Sequence, residues 1–154
     1  MKRLFQALMV AAMVLSGGAL ARADQAKPTQ ADAEALALKA AAFIQAHGIK
    51  QARAAFDKPG EFYHGELYAG VVDFTGNWVV YPPKPAAEGS NIFDVRDSDG
   101  KYLTREVIDT ARKDGQGWVE YRWLNPAVNQ IQPKITYVKL VPGTNLVTYV
   151  GIYK

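Results

Sequence analysis

The spacing of apolar residues changes period along this chain, and the changes mark its elements. Leu36, Ala40, Phe43, Ile44 and His47 recur at steps of three and four, which puts them on one face of a helix. Thr29 is the expected N-cap, with Asp32 three residues on in a capping-box arrangement. Gly48 ends the helix as a C′ residue. Ile49, Ala52, Arg53 and Phe56 then predict a second short helix, stopped by Lys58-Pro59-Gly60. From Phe62 the runs are β-branched and aromatic instead. Leu67 to Phe74 predicts a strand, Thr75-Gly76-Asn77 a tight turn, and Trp78 to Tyr81 the return strand. Pro82-Pro83-Lys84-Pro85 ends that strand, because proline cannot donate to a ladder.

Residues 86–103 form a long excursion with an Asp97-Ser98-Asp99-Gly100 turn. Thr104 is expected to cap a helix whose apolar positions are Val107, Ile108 and Ala111, closed by Asp114-Gly115-Gln116-Gly117. Three strand-like runs complete the chain: Gly117 to Asn125, Gln132 to Val141, and Asn145 to Tyr153. Asn125-Pro126 and Pro142-Gly143-Thr144 punctuate them, and links this short favour antiparallel neighbours. The order of elements predicts an α+β domain whose antiparallel sheet has about five strands.

The first residues belong to a different pattern. Met1-Lys2-Arg3 is a positive start, Leu4 to Leu15 is apolar except for Gln6, and Ala21-Arg22-Ala23 supplies small residues at cleavage-site spacing. Residues 1–23 are expected to be a secretory signal peptide cut before Asp24, leaving 24–154 as one periplasmic or secreted domain. The apolar run is shorter than the roughly 20 residues of a membrane span. The whole chain carries a formal charge of +3, but Lys2, Arg3 and Arg22 lie in the leader, so 15 basic and 15 acidic residues remain after it. That balance argues against nucleic acid or an anionic membrane surface as partner. The chain has no cysteine, which removes disulfides, lipidation at a leader cysteine, thiol catalysis and cysteine metal sites.

Catalytic patterns are missing. Beyond the leader the serines are Ser90 and Ser98, and neither sits in G-x-S-x-G. The histidines, His47 and His64, form no H-E-x-x-H, and no metal site or cofactor is expected. His47 is expected to pack its ring at the helix end. Asp97, Asp99, Gly100 and Glu106 match some calcium-loop positions, but the first would be Val95, which cannot ligate; an Asp-Gly turn is the expectation.

Alternation places Val119, Tyr121 and Trp123 on one face of their strand, with Trp118, Glu120 and Arg122 behind. On the next strand Lys134, Thr136 and Val138 share a face, opposite Ile135, Tyr137 and Lys139. One face of such a sheet packs on helices; the other can form a pocket with aromatic walls. Lys134 is the expected anchor for a carboxylate, with Tyr81 or Tyr121 as hydroxyl donors.

The blocks Gly65-Glu66-Leu67-Tyr68, Asp73 to Pro82, Asp97 to Lys101, Gly115 to Trp123 and Lys134 to Lys139, with the ending Val150-Gly151-Ile152-Tyr153, resemble the single Cache domain family. The resemblance implies a PAS-like fold: a five-stranded antiparallel sheet with a long N-terminal helix on one face. It implies a pocket on the other face for a small organic acid or amino-acid-like metabolite, involving Tyr81, Tyr121, Trp123 and Lys134. The expectation is therefore an exported ligand-binding domain that is not an enzyme and acts through a partner, a membrane sensor or transporter. Homodimerisation through the N-terminal helix is a further expectation. The alternatives are a ligand-free structural subunit of the cell envelope, or a hydrolase.

Overall fold

The structure is a computed structural model that describes residues 27–154. The leader expected over 1–23 lies outside the described residues.

Helix α1 spans Gln30–Phe56. Its N-terminus is the expected capping box: the Asp32 N–H donates to Thr29 Oγ1, and Asp32 Oδ2 accepts from the Thr29 N–H at 2.8 Å. Gly48 breaks the helical backbone at φ 77°, ψ 163°, where the sequence predicts the end of one helix and the start of another. The second stretch continues without a connecting loop, so the two behave as one long element. His47 is exposed and its ring lies 4.5 Å from that of Phe43, as expected of a packing histidine.

Five strands form the sheet: β3 (Gly70–Asp73), β4 (Trp78–Val80), β5 (Gln116–Asn125), β6 (Gln130–Leu140) and β7 (Leu146–Tyr153). Their order is β4-β3-β7-β6-β5, all antiparallel. The predicted strand over 67–74 is divided. Leu67–Tyr68 (β2) leaves the main sheet to pair with Tyr63–His64 (β1) in a small hairpin, and only Gly70–Asp73 joins the ladder.

Each face has its own core. Ala33, Leu36, Ala37, Ala40 and Ile44 of α1 pack on Ile135, Tyr137, Val150 and Ile152. Alanines dominate the helix side, so α1 sits close to the sheet, and Thr148 Oγ1 donates to the Ala37 carbonyl at 3.0 Å. The opposite face, with Val72, Val119, Val138, Val147 and Tyr149, is covered by helix α2 (Leu103–Asp114) through Val107 and Ala111. α2 does not start as expected. Its N-cap is Tyr102 and no side chain caps it; Thr104 lies inside the first turn, buried, with its hydroxyl turned inward.

The excursion between β4 and α2 is fastened by a carboxylate. Asp97 Oδ1 accepts the N–H groups of Asp99 and Lys101, and Oδ2 accepts the N–H of Arg122 on edge strand β5 at 3.0 Å. Burial raises the Asp97 pKa, but these backbone donors outweigh it and hold the carboxyl below its ordinary value. Asp97 thus serves the turn, as expected, and among the described residues no cluster of three or more potential ligands could hold a metal ion.

Candidate functional site

The face of the sheet away from α1 carries the aromatic residues. β5 and β6 pair with Val119 opposite Thr136 and Tyr121 opposite Lys134, so the two alternating sets share this face, as expected. The same period on β7 places Val147, Tyr149, Gly151 and Tyr153 here, while Thr148, Val150 and Ile152 face α1.

Between this face, α2 and the excursion lies a cavity of about 30 Å³. The sheet side contributes Val72, Trp78, Tyr121, Trp123 and Tyr149; Tyr68 comes from β2. Leu103, Thr104 and Val107 of α2, with Ile92 of the excursion, form the roof. Tyr81 closes the side, stacked on Trp78 with ring centroids 4.2 Å apart and planes 2° from parallel. At about 10–15 Å³ per water, the space admits roughly two water molecules. Beyond it a cleft of about 360 Å³ opens toward solvent between β2 and the β5–β6 hairpin. Tyr68, Tyr81 and Trp123 border both spaces and form the wall between them.

Tyr81, Tyr121 and Trp123 thus line the cavity, and Lys134 sits beside its lining. Only 2% of Lys134 is exposed. Its Nζ donates to the Tyr68 hydroxyl at 3.0 Å and lies 4.9 and 4.7 Å from the ring centroids of Tyr68 and Tyr153. Among the described residues no carboxylate lies within 4.0 Å of this ammonium. The cation therefore rests on a phenol oxygen and two ring faces.

The tyrosines stay protonated. Burial pushes the phenols of Tyr68, Tyr81, Tyr121 and Tyr149 up, and that of Tyr153 to about 12. Lys134 opposes the shift at Tyr121 and Tyr153. Lys134 donates to Tyr68, and the Thr136 hydroxyl donates to Tyr121 at 3.0 Å. Each phenol oxygen is then an acceptor in one bond and keeps its own hydrogen for another. A buried cation and two phenol donors beside this cavity make an arrangement suited to an anion.

A family model described as "Single Cache domain 2" matches residues 4–154. The chain belongs to the single Cache domain family. It is 34% identical over 91 residues to the sensor histidine kinase MctS of Rhizobium johnstonii, a match covering 59% of this chain and 20% of that protein. The chain thus spans about a fifth of this curated relative. Among solved structures, a "Periplasmic sensor domain of chemotaxis protein" superposes with a TM-score of 0.64 at 28% identity, covering 79% of this chain and 87% of that one. A structure described as "Structural basis for carboxylic acid recognition by a Cache chemosensory domain" gives a TM-score of 0.64 at 24% identity, over 79% and 85%. The Cache fold is the α+β arrangement described above, and Cache domains are ligand-binding sensor domains of chemoreceptors and kinases.

Tyr68, Thr104 and Tyr149 also line the cavity, and the sequence pattern does not single them out as site residues. Tyr149 was within reach of the period-two pattern of the last strand. The sequence pattern predicts Tyr68 in the main sheet and Thr104 at a cap, whereas Tyr68 pairs in the small hairpin and Thr104 lies in the first turn of α2.

Proposed function

We propose that this Cache domain is a periplasmic sensor domain for a short monocarboxylate. Lys134 supplies the counter-charge, Tyr68 and Tyr121 donate to the carboxylate oxygens, and the carbon end lies among Val72, Ile92, Leu103 and Val107. The observation that carries the reading is the buried ammonium of Lys134 without an acidic neighbour. A charge taken out of water is stabilised by a partner of opposite sign, and an anionic ligand provides one. The small volume of the cavity supports a short acid over a long or doubly charged one. Tyr81 and Trp123, shared with the outer cleft, are the side chains that yield to admit it. The Cache neighbour described as recognising carboxylic acids supports the same ligand class. The bound state is read by a membrane partner of the kinase or chemoreceptor kind, as the relatives' architecture suggests.

The test is calorimetric titration and thermal shift of the protein with acetate, propanoate and butanoate against succinate. Ligand at 100 times its Kd should add about 2.7 kcal/mol of stability. A response to the short acids that vanishes in Lys134→Met supports the proposal. Indifference to all of them, or an unaltered response in that variant, removes it.

A further inference from the structure

The start of the excursion grips the stacked Trp78–Tyr81 wall through its backbone. The Gly89 N–H donates to the Trp78 carbonyl at 2.7 Å, and the Ser90 carbonyl accepts the Trp78 N–H at 3.1 Å. Glu88 Oε1 accepts the Tyr81 N–H at 2.8 Å. Gly89 has a φ of 82°, which turns the chain back onto β4 directly after Glu88.

Glu88 is in turn held by the end of α1. Its side chain is 11% exposed, and Oε2 lies 3.1 Å from Arg53 Nε. The same Arg53 Nε donates to the Val79 carbonyl. Asp57, the C-cap of α1, has its side chain within hydrogen-bonding reach of Glu88, yet its Oδ1 is buried without a donor. Two carboxylates cannot bond to each other, whereas a carboxyl and a carboxylate can. The charged groups that face Asp57 are Glu88 from the excursion and Arg53 from its own helix; the strand side of the junction supplies the Val79 carbonyl and the Tyr81 N–H. Burial, and then the charge of Glu88, favour the protonated form of Asp57. A proton there joins α1, the excursion and the cavity wall. The join is complete in mild acid and is lost as pH rises through about 6. Asp57, Glu88 and Arg53 do not line the cavity, so they bear on its opening and not on contact with a ligand.

We propose that the Asp57–Glu88 pair is a proton-operated clasp on the Trp78–Tyr81 wall, closed in mild acid and released at neutral pH, which sets how fast a ligand enters and leaves the cavity and not how tightly it is held. The effect on ligand exchange rests on the carboxylate reading above; the clasp does not.

Amide hydrogen exchange of the ligand-free protein, followed by NMR, tests the clasp. Corrected for intrinsic exchange, the Tyr81 N–H should be about threefold better protected at pH 5.5 than at pH 7.5. Asp57→Asn supplies a donor at every pH, and Glu88→Gln removes the like charge. Each should make the protection independent of pH. A flat profile in the wild type, or one equally steep in both variants, overturns the clasp. Stopped-flow binding of propanoate, counted on the ionised acid, tests the gate. Association and dissociation should both be about threefold faster at pH 7.5, with the dissociation constant unchanged. A dissociation constant that follows pH, or rates that do not, overturns the gate. If propanoate does not bind, the carboxylate reading and the gate fall together, and the exchange profile still decides the clasp.

Discussion

Gly151 has no side chain where Lys134 needs room. Gly151 stands on β7 opposite Thr136, and a Cβ added to it would overlap both Lys134 Cε and Thr136 Oγ1. The buried cation, the hydroxyl that holds Tyr121 and the bare stretch of β7 therefore form one packing unit. Gly151→Ala should lower stability by about 1–3 kcal/mol through overpacking, measured by urea denaturation. It should also abolish the stabilisation by short carboxylates, because Lys134 must leave its place. A variant as stable and responsive as the wild type would show that the lysine is free to move.

Replacing the lysine gives a different outcome. Lys134→Met keeps the bulk of the chain and removes a charge that has no acidic partner. Exchanging buried charge for a well-packed apolar side chain is often neutral or stabilising. The ligand-free variant should therefore melt at or above the wild-type temperature while losing its ligand response. A drop of several degrees without ligand would show that the contacts with Tyr68 and the two rings outweigh the desolvation of the ammonium.

Much of this arrangement is legible in the sequence, and the illegible part has a physical cause. Period-two alternation puts Tyr121 and Lys134 on one face and Trp118 and Tyr137 on the other, because a pleated strand leaves no alternative. Gly48 was readable as a helix end, since its left-handed φ is one that side chains resist. Alternation does not reveal which residues of a face border empty space. Val138 and Tyr121 share a face, yet one is wholly packed and the other lines the cavity. The break at Ala69 follows from the hairpin pairing of Tyr63 with Tyr68 around Gly65-Glu66, a short turn whose positive-φ glycine is itself a local hairpin signal. Thr104 has the composition of a cap, but the cap falls two residues earlier, at Tyr102, so its side chain lies in the first turn and against the cavity. Ile92 comes from an excursion without periodicity, and Leu103 opens α2 where the sequence predicts the end of that excursion, so no pattern assigns them.

Asp97 offers a test of the turn against the calcium reading. Its carboxylate accepts three backbone N–H groups and ties the excursion to β5. Asp97→Ala leaves those donors to solvent and should cost about 1 kcal/mol or somewhat more. The folded pKa is depressed, so the contribution is present above the unfolded value and lost as pH falls through the folded one. The stability difference between wild type and variant should accordingly shrink in acid. Millimolar calcium should leave both melting temperatures where they were; a rise in the wild type alone would restore the calcium site.

The end of α1 meets the excursion through two acids, Asp57 and Glu88, and the titration of Asp57 has the opposite sign. Asp57 Oδ1 is buried without a donor, and the carboxylate of Glu88 is its neighbour. Arg53 is the cation facing the pair: its Nε lies 3.1 Å from Glu88 Oε2, and its guanidinium also donates to the Val79 carbonyl. Glu88 Oε1 accepts the Tyr81 N–H at 2.8 Å, so the cluster reaches the backbone of the cavity wall. Burial, and then the charge of Glu88, raise Asp57 from an ordinary value of 3.8 to about 6. A folded pKa above the unfolded one means that the folded state binds the proton more tightly. The resulting stabilisation is complete below the unfolded value and is lost as pH rises through about 6. Asp57→Asn puts an amide donor against Glu88 at every pH. It should melt higher than the wild type at pH 8, with the gap narrowing as pH falls from 6 toward 4. A gap that is flat across this range would assign the proton elsewhere, and a variant less stable at pH 8 would mean that Arg53 already balances both carboxylates.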